Sequence, residues 1–442
     1  MKKRTCSTFR YRDCDAFAWY LHEQSRQGWH FKEWRFGLLF EKGEPADIHY
    51  AVEVFPDGAE MDTRPEKDTQ EYAEYCETAG WKLIDSSRKF CIFRRTKENA
   101  VPIVEPEERF ENIRKAEWLL WLSRSIPVFL LAGLQWVQML SWNFKNWIFS
   151  DLMLLTLFFM TVVTIQMLWE GVVLLFWSYT RHRMLRAGEI PLYGKMKHWD
   201  SRIFPCFLYA LFAVYLVSHQ EQFVLPFVLP AAAALILILL TGAGIAFWRP
   251  SRAENWTFQI VSACMILVFL LALTPALLSL APDSRQAPGD GDSPPLIQAD
   301  YMPGKWEISS VYEDHIEGFL GSADRFYIDC QKSVSTGSAP DNIETDSVPD
   351  NAETDILRYT VYQSSHPWIL EKLWKEELPD SGENSRERTK AWGALSAVGQ
   401  GGAGRGYKEL VLYPDRLLVL YFDEKPEGSQ IRIIRQKLCP IQ

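Results

Sequence analysis

Leu152–Trp177 reads LMLLTLFFMTVVTIQMLWEGVVLLFW, a run with one ionisable residue, Glu170. A bilayer core of roughly 30 Å takes about 20 mostly apolar residues as a helix, because lipid offers no partner to an open backbone N–H or C=O. Working outward, Trp118–Leu140, Ile203–Ser218, Val224–Trp248 and Trp256–Leu280 have the same character. The third of the five segments is short. Only His219, Gln220, Glu221 and Gln222 part it from the fourth, so that pair reads as a helical hairpin. Trp118, Trp121, Trp147, Trp177, Trp248 and Trp256 fall at segment ends, where amphipathic rings favour the headgroup layer.

Lys and Arg are retained on the cytoplasmic side of short loops. Arg181, Arg183, Arg186, Lys195, Lys197 and Arg202 follow the second segment, and Arg249 and Arg252 follow the fourth. The first connection has only Lys145, and the third has no basic residue. This alternation predicts a multi-pass cell-membrane protein with its N-terminus in the cytoplasm and the region from Ala281 outside. Met1–Asp15 lacks an apolar run, so the first span is expected to act as the insertion signal.

The expected organisation is a cytoplasmic module over 1–100, a juxtamembrane linker over 101–117, a membrane region over 118–280, a flexible linker over 281–300 and an acidic extracytoplasmic domain over 301–442. Residues 1–117 hold 20 basic and 23 acidic residues, 118–280 hold 10 and 6, and 281–442 hold 17 and 27. None of the three has the basic excess of a nucleic-acid binder. The surplus of the membrane part lies in its inner loops, where it favours anionic lipid.

The first hundred residues read as β-α-β-β-β-α-β-β. Thr5–Tyr11 alternates like a strand, and Asp13 can cap a helix from Cys14 to about Gln27 with Phe17, Trp19 and Leu21 on its apolar side. Trp29–Phe36, Leu38–Glu41 and Ile48–Phe55 follow as strands, then a helix over Glu66–Thr78 and strands at Trp81–Ile84 and Phe90–Arg94. Helix-Gly-Trp-strand occurs twice, at Gly28-Trp29 and Gly80-Trp81. In each, glycine permits the reversal and the indole is expected to pack under the helix just left, as core structure more than as a ligand platform. The repetition points to a duplicated half-domain of ferredoxin-like kind.

FRYRDCDAFAWYLHEQSRQGW (Phe9–Trp29), FEKGEPADIHY (Phe40–Tyr50), EYCETAGWKL (Glu74–Leu83) and FCIFRR (Phe90–Arg95) resemble the N-terminal module of a bacterial domain-of-unknown-function family. The resemblance covers roughly residues 5–97. It implies a cytoplasmic module followed by membrane spans, in a family often encoded beside PadR-type transcriptional regulators. It implies no catalytic residues.

Beyond the linker Pro282–Pro295, strands are expected at Trp306–Tyr312, Arg325–Asp329, Leu357–Tyr362, Leu410–Tyr413, Leu417–Phe422 and Ile431–Ile434, and a helix at His366–Glu377. The domain is therefore α+β or mainly β. A tandem repeat, PDNIETDSV at Pro340–Val348 and PDNAETDIL at Pro349–Leu357, reads as a solvated loop. It lacks the glycine of an EF-hand calcium loop.

Candidate chemistry is thin, and no catalytic, metal or cofactor residues are assigned. Gly399, Gly401 and Gly404 fit GxGxxG, but a strand follows where a dinucleotide fold needs a helix. His22, His30 and His49 lie on different elements and read as surface or core residues. Only Cys330 and Cys439 face an oxidising side, where they can pair. Within the spans, Arg124 and Glu170 both fall near the inner interface, the placement of an intramembrane ion pair between neighbouring helices. Gln166 lies one turn from Glu170, and Pro226, Pro230 and Pro275 can bend the later spans.

These features favour a non-enzymatic sensor, regulatory or interaction protein that couples an outer domain to an inner module, with the bilayer and a membrane or cytoplasmic protein as partners. The alternative is a transporter subunit or small-solute permease, whose expected inverted repeat is not evident.

Overall fold

The computed structural model describes residues 1–5, 9–142, 144–194, 224–279, 285–286, 294–302, 306–332, 354–378, 386–401 and 406–439. The chain forms two compact units, Met1–Ala132 with Phe159–Ala281, and Gly133–Phe158 with Pro282–Gln442.

The first unit opens with β1 (Lys2–Thr5), α1 (Cys14–Arg26), β2 (Trp29–Trp34) and β3 (Leu38–Lys42), then repeats the order as β4 (Tyr50–Val54), α2 (Lys67–Thr78), β5 (Trp81–Ser87) and β6 (Phe90–Arg95). The sheets repeat too: β1-β3-β2 and β4-β6-β5, antiparallel throughout. Each carries a bulge at the same place, between Phe31 and Glu33 in β2 and between Leu83 and Asp85 in β5. The module is thus built on two three-stranded sheets, not the single sheet of a ferredoxin-like fold. One reason is local: the Trp34 N–H at the end of β2 donates to Asp85 Oδ2 at 2.6 Å instead of to a further strand.

Several expectations shift in detail. The first strand is Lys2–Thr5, and Tyr11–Asp13 is instead a 3₁₀ turn, closed by Asp13 N–H to Arg10 O at 2.9 Å and by Arg10 N–H to Asp13 Oδ2 at 3.0 Å. Phe17 and Leu21 of α1 are fully buried, whereas Trp19 is 66% exposed, because a residue two places along a helix faces away. Gly28 and Gly80 have φ of +79° and +94°, the left-handed values that end each helix. Trp29 and Trp81 are half-buried and pack at the edges of separate clusters, Trp81 donating its indole N–H to Val101 O at 2.7 Å.

Helices α3 (Pro106–Val137) and α5 (Asp151–Arg186) are both long and largely apolar, and α4 (Phe144–Trp147) lies between them. By length and composition, Pro106–Ser141 and Met153–Arg186 can each cross a membrane, with mean hydropathies of 1.3 and 1.8 over an 18-residue stretch of each. Among the described residues these two segments meet that test, where five spans were expected. Ile203–Ser218 lies outside the described residues. Val224–Trp248 (α6) and Arg252–Ser279 (α7) form helices joined by a short turn, with Thr241 and Ser262 hydroxyls 2.9 Å apart between them.

The second unit centres on a seven-stranded antiparallel sheet in the order β11-β12-β13-β10-β9-β8-β7. Its strands are β7 (Arg285–Gln286), β8 (Trp306–Gly318), β9 (Gly321–Lys332), β10 (Thr354–Gln363), β11 (Ser396–Gly401), β12 (Tyr407–Leu412) and β13 (Arg416–Phe422). Side chains alternate across a strand, so the run Leu417–Leu420 supplies both faces. Leu418 and Leu420 join Ile431, Ile434 and Leu438 in one cluster, while Leu417 and Val419 join Ile369, Leu370 and Leu373 in another. That second cluster also takes Phe144, Trp147, Ile148 and Phe149 from the connection between α3 and α5.

Here too one element changes type. Ile431–Ile434 lies within a helix, Gly428–Leu438, since apolar residues at 431, 434 and 438 follow a helical period. The helix Pro367–Glu377 stands where expected. Cys330 lies in the apolar cluster against which Cys439 packs. Of the tandem repeat, Pro340–Glu353 lies outside the described residues and its end from Thr354 begins β10.

Candidate functional site

Within the first unit the module is fastened to helices and turns at four places. The N–H groups of Asp15 and Ala16, in the first turn of α1, donate to Tyr193 O at 3.0 and 3.2 Å, and Tyr193 N–H returns a bond to Asp15 Oδ2 at 2.7 Å. On α3, Arg109 Nη2 lies 2.9 Å from Asp15 Oδ1, and its Nε donates to Glu53 Oε2 at 2.8 Å. Burial pushes the Glu53 carboxyl up to about 7, with Arg109 drawing it back down.

The other two fasteners are the arginines of the turn between α6 and α7. Arg249 Nη2 donates to Asp85 Oδ1 at 2.8 Å and to Ser86 O at 3.1 Å, its Nε to Thr63 O at 2.6 Å, and Glu33 stands 3.8 Å from Nη1. Asp85 is 4% exposed, and this burial raises its pKa against the pull of Arg249. Arg252 makes a fork to both oxygens of Asp62, at 2.7 and 2.9 Å. Its N–H donates to Glu66 Oε1 at 2.8 Å, and Asn255 Nδ2 donates to Met61 O at 2.6 Å.

Arg249 and Arg252 counted in the sequence only as markers of loop orientation. The structure makes them specific partners of Asp62 and of Asp85. A complementary signal was present: the segment Asp57–Asp68 is crowded with carboxylates.

Next to these contacts lies a cavity of about 70 Å³. Arg10, Arg12, Arg88 and Glu117 bound it beside Phe9 and Phe90, and Arg124, Trp121, Met167, Glu170 and Leu174 complete the wall from α3 and α5. Arg124 and Glu170 therefore line one cavity, with no ion pair within 4 Å between their side chains. The indole of Trp121 sits between the two helices: its Nε1 donates to Met167 O at 3.0 Å, and its ring lies over Gly171, where a Cβ would come within 2.6 Å.

Arg12 is the most enclosed cation of the wall, at 5% exposure. Its backbone N–H donates to Glu117 Oε1 at 3.2 Å, whereas its buried Nε–H has no acceptor. Burial lowers its pKa, yet an arginine retains its proton, so this is a buried charge whose hydrogen-bonding capacity is incompletely used.

Of the three histidines of the module, two meet and the third stands apart. His22 and His49 stack at 4.7 Å with Asp47 3.5 and 3.6 Å from them, while His30 bonds Glu44 O at 2.8 Å. Among the described residues no group of three or more His, Cys, Asp or Glu side chains is arranged to hold a metal ion. Gly399 and Gly401 lie on β11 under the ring of Tyr407, the first residue of β12, and Gly404 lies outside the described residues. The glycines make room for an aromatic ring across the hairpin.

No curated protein matches the chain, and no solved structure does. Residues 15–123, spanning most of the module and the start of α3, match the family described as "Protein of unknown function (DUF2812)", in line with the expected domain-of-unknown-function family.

Proposed function

We propose that this is a multi-pass membrane protein of about five spans that acts without catalysis of its own, coupling an extracytoplasmic domain to a cytoplasmic module that engages a membrane or cytoplasmic partner. The observation that carries the reading is the fastening of the module by Arg109, Tyr193, Arg249 and Arg252. A module joined through a single linker would not follow its helices. One held at four separated points of the chain must register their displacement.

Two features support the membrane assignment. Leu130 and Phe176 are each 69% exposed and Trp169 is 66% exposed, apolar surface that water disfavours and lipid accepts. The connection Gly133–Phe158 is grouped with the C-terminal sheet, as expected of segments that share the outer side.

Reporter fusions after Asp200 and after Leu296 test the topology. Cytoplasmic behaviour of the first and external behaviour of the second are expected, and a cytoplasmic second fusion overturns it. Cross-linking in native membranes from a cysteine placed at the exposed Tyr75 of α2 then tests for a partner of the inner module. A labelled partner should be captured by the parent chain and lost on Arg249→Gln.

A further inference from the structure

We infer that the arginine-lined cavity binds a phosphate-bearing anion, supplied either as the headgroup of an anionic lipid or as a soluble phosphate compound. Arg10, Arg12, Arg88 and Arg124 line it together with Glu117 and Glu170. The side chains of Arg12, Arg88 and Arg124 make no ion pair among the described residues, although ion pairs secure Arg109, Arg249 and Arg252 of the same unit. The carboxylate next in reach, Glu60, accepts the Tyr11 hydroxyl at 2.5 Å.

A buried arginine with an unused N–H is costly unless something supplies the acceptor. Arg12 is such a residue, 5% exposed with Nε unsatisfied, and it belongs to the cavity wall. Guanidinium forks match the oxygens of a phosphate better than those of water, and charge-assisted bonds to it are short and strong. One water needs roughly 10–15 Å³ of such space. The cavity of about 70 Å³ therefore has room for several waters or for one phosphate group in their place.

The wall is two-sided in composition. Arg10, Arg12 and Arg88 come from the module, whereas Trp121 and Leu174 come from the apolar helices α3 and α5. Basic pockets beside apolar helices at headgroup depth are suited to lipid phosphates. The bound group would lie between α3, α5 and the module, so its presence would bias how the module sits on them. The inference rests on this cavity and not on the number of spans or on the outer domain.

The test uses the full chain in a neutral detergent, with thermal unfolding as readout. In one arm phosphatidylglycerol or phosphatidylcholine is added to the micelles, and in the other sodium phosphate replaces sodium chloride at constant ionic strength. The expected result is stabilisation by phosphatidylglycerol and not by phosphatidylcholine, with the midpoint of the titration shifted at least tenfold in Arg88→Gln and in Arg124→Gln. Both side chains are exposed, so neither variant should fail to fold. Stabilisation by inorganic phosphate that the same variants weaken supports the inference with a soluble source. The inference is overturned if neither arm stabilises the parent chain, or if the two variants titrate as the parent does.

Discussion

Glu33 and Asp85 occupy the same position in the two halves of the module, each just past the bulge of the strand that follows Gly-Trp, and both face Arg249, at 3.8 and 2.8 Å. An internal repeat has thus been turned into a two-jawed receptor for one cation from a distant turn. The two jaws differ: Asp85 also accepts the Trp34 N–H, which ties one half of the module to the other.

Arg249→Gln should destabilise the detergent-solubilised protein by about 3–5 kcal/mol, the cost of leaving a buried charge without its partner. Asp85→Asn should cost less, since an amide oxygen can still accept from Trp34. The double variant should lose less than the two single losses combined. Thermal unfolding of all four proteins measures the coupling, and strict additivity would show that the pair contributes nothing jointly.

Gly171→Val should disrupt the packing of α3 on α5, because the new side chain meets the Trp121 indole. Overpacking of this kind costs about 1–3 kcal/mol. Combining it with Trp121→Leu should restore part of the loss. If Gly171→Val unfolds at the parent temperature, the two helices are not held in this register.

At the second Gly-Trp pair, Trp81→Phe should lose the bond to Val101 and about 1 kcal/mol, and Trp81→Ala should lose more. Both changes fall short of deleting a fully enclosed aromatic, which costs about 3–5 kcal/mol, because the indole is only half-buried. Gly80→Ala should hurt for a separate reason, its φ of +94°. Chemical denaturation of the full chain ranks the three variants.

Glu53 has its folded pKa raised, to about 7 from an ordinary 4.5. The stability gained by protonating it is therefore fully present below about 4.5 and is lost as pH rises through about 7. Comparing unfolding midpoints of the parent and Glu53→Gln from pH 4 to 8 checks the sign: the parent should lose ground relative to the variant across that window. A constant difference would place the titration elsewhere.

Much of the architecture was legible along the chain. Both helix ends at Gly28 and Gly80 follow from a local need for left-handed backbone, and the β-α-β-β order recurs because each half carries its own helical and alternating apolar periods. Short amphipathic stretches were harder. Ile431–Ile434 presents three isoleucines that suit a strand or a helix, and Leu438, one turn further, is what sets the period. Trp19 looked apolar enough for a core but lies on the wrong side of α1.

The sequence by itself determined the long apolar helices, the alternating basic loops and the repeated half-module, because each depends on residues near one another in the chain. Only the tertiary structure decided what the charged residues do. Arg249 meets Asp85 and Arg252 meets Asp62 across long separations, and Arg12, Arg88 and Arg124 come together around a cavity rather than in ion pairs. Local pattern specifies that a charge must be solvated or paired. Which charge becomes its partner depends on where the folded backbone brings them, and no spacing along the chain encodes that.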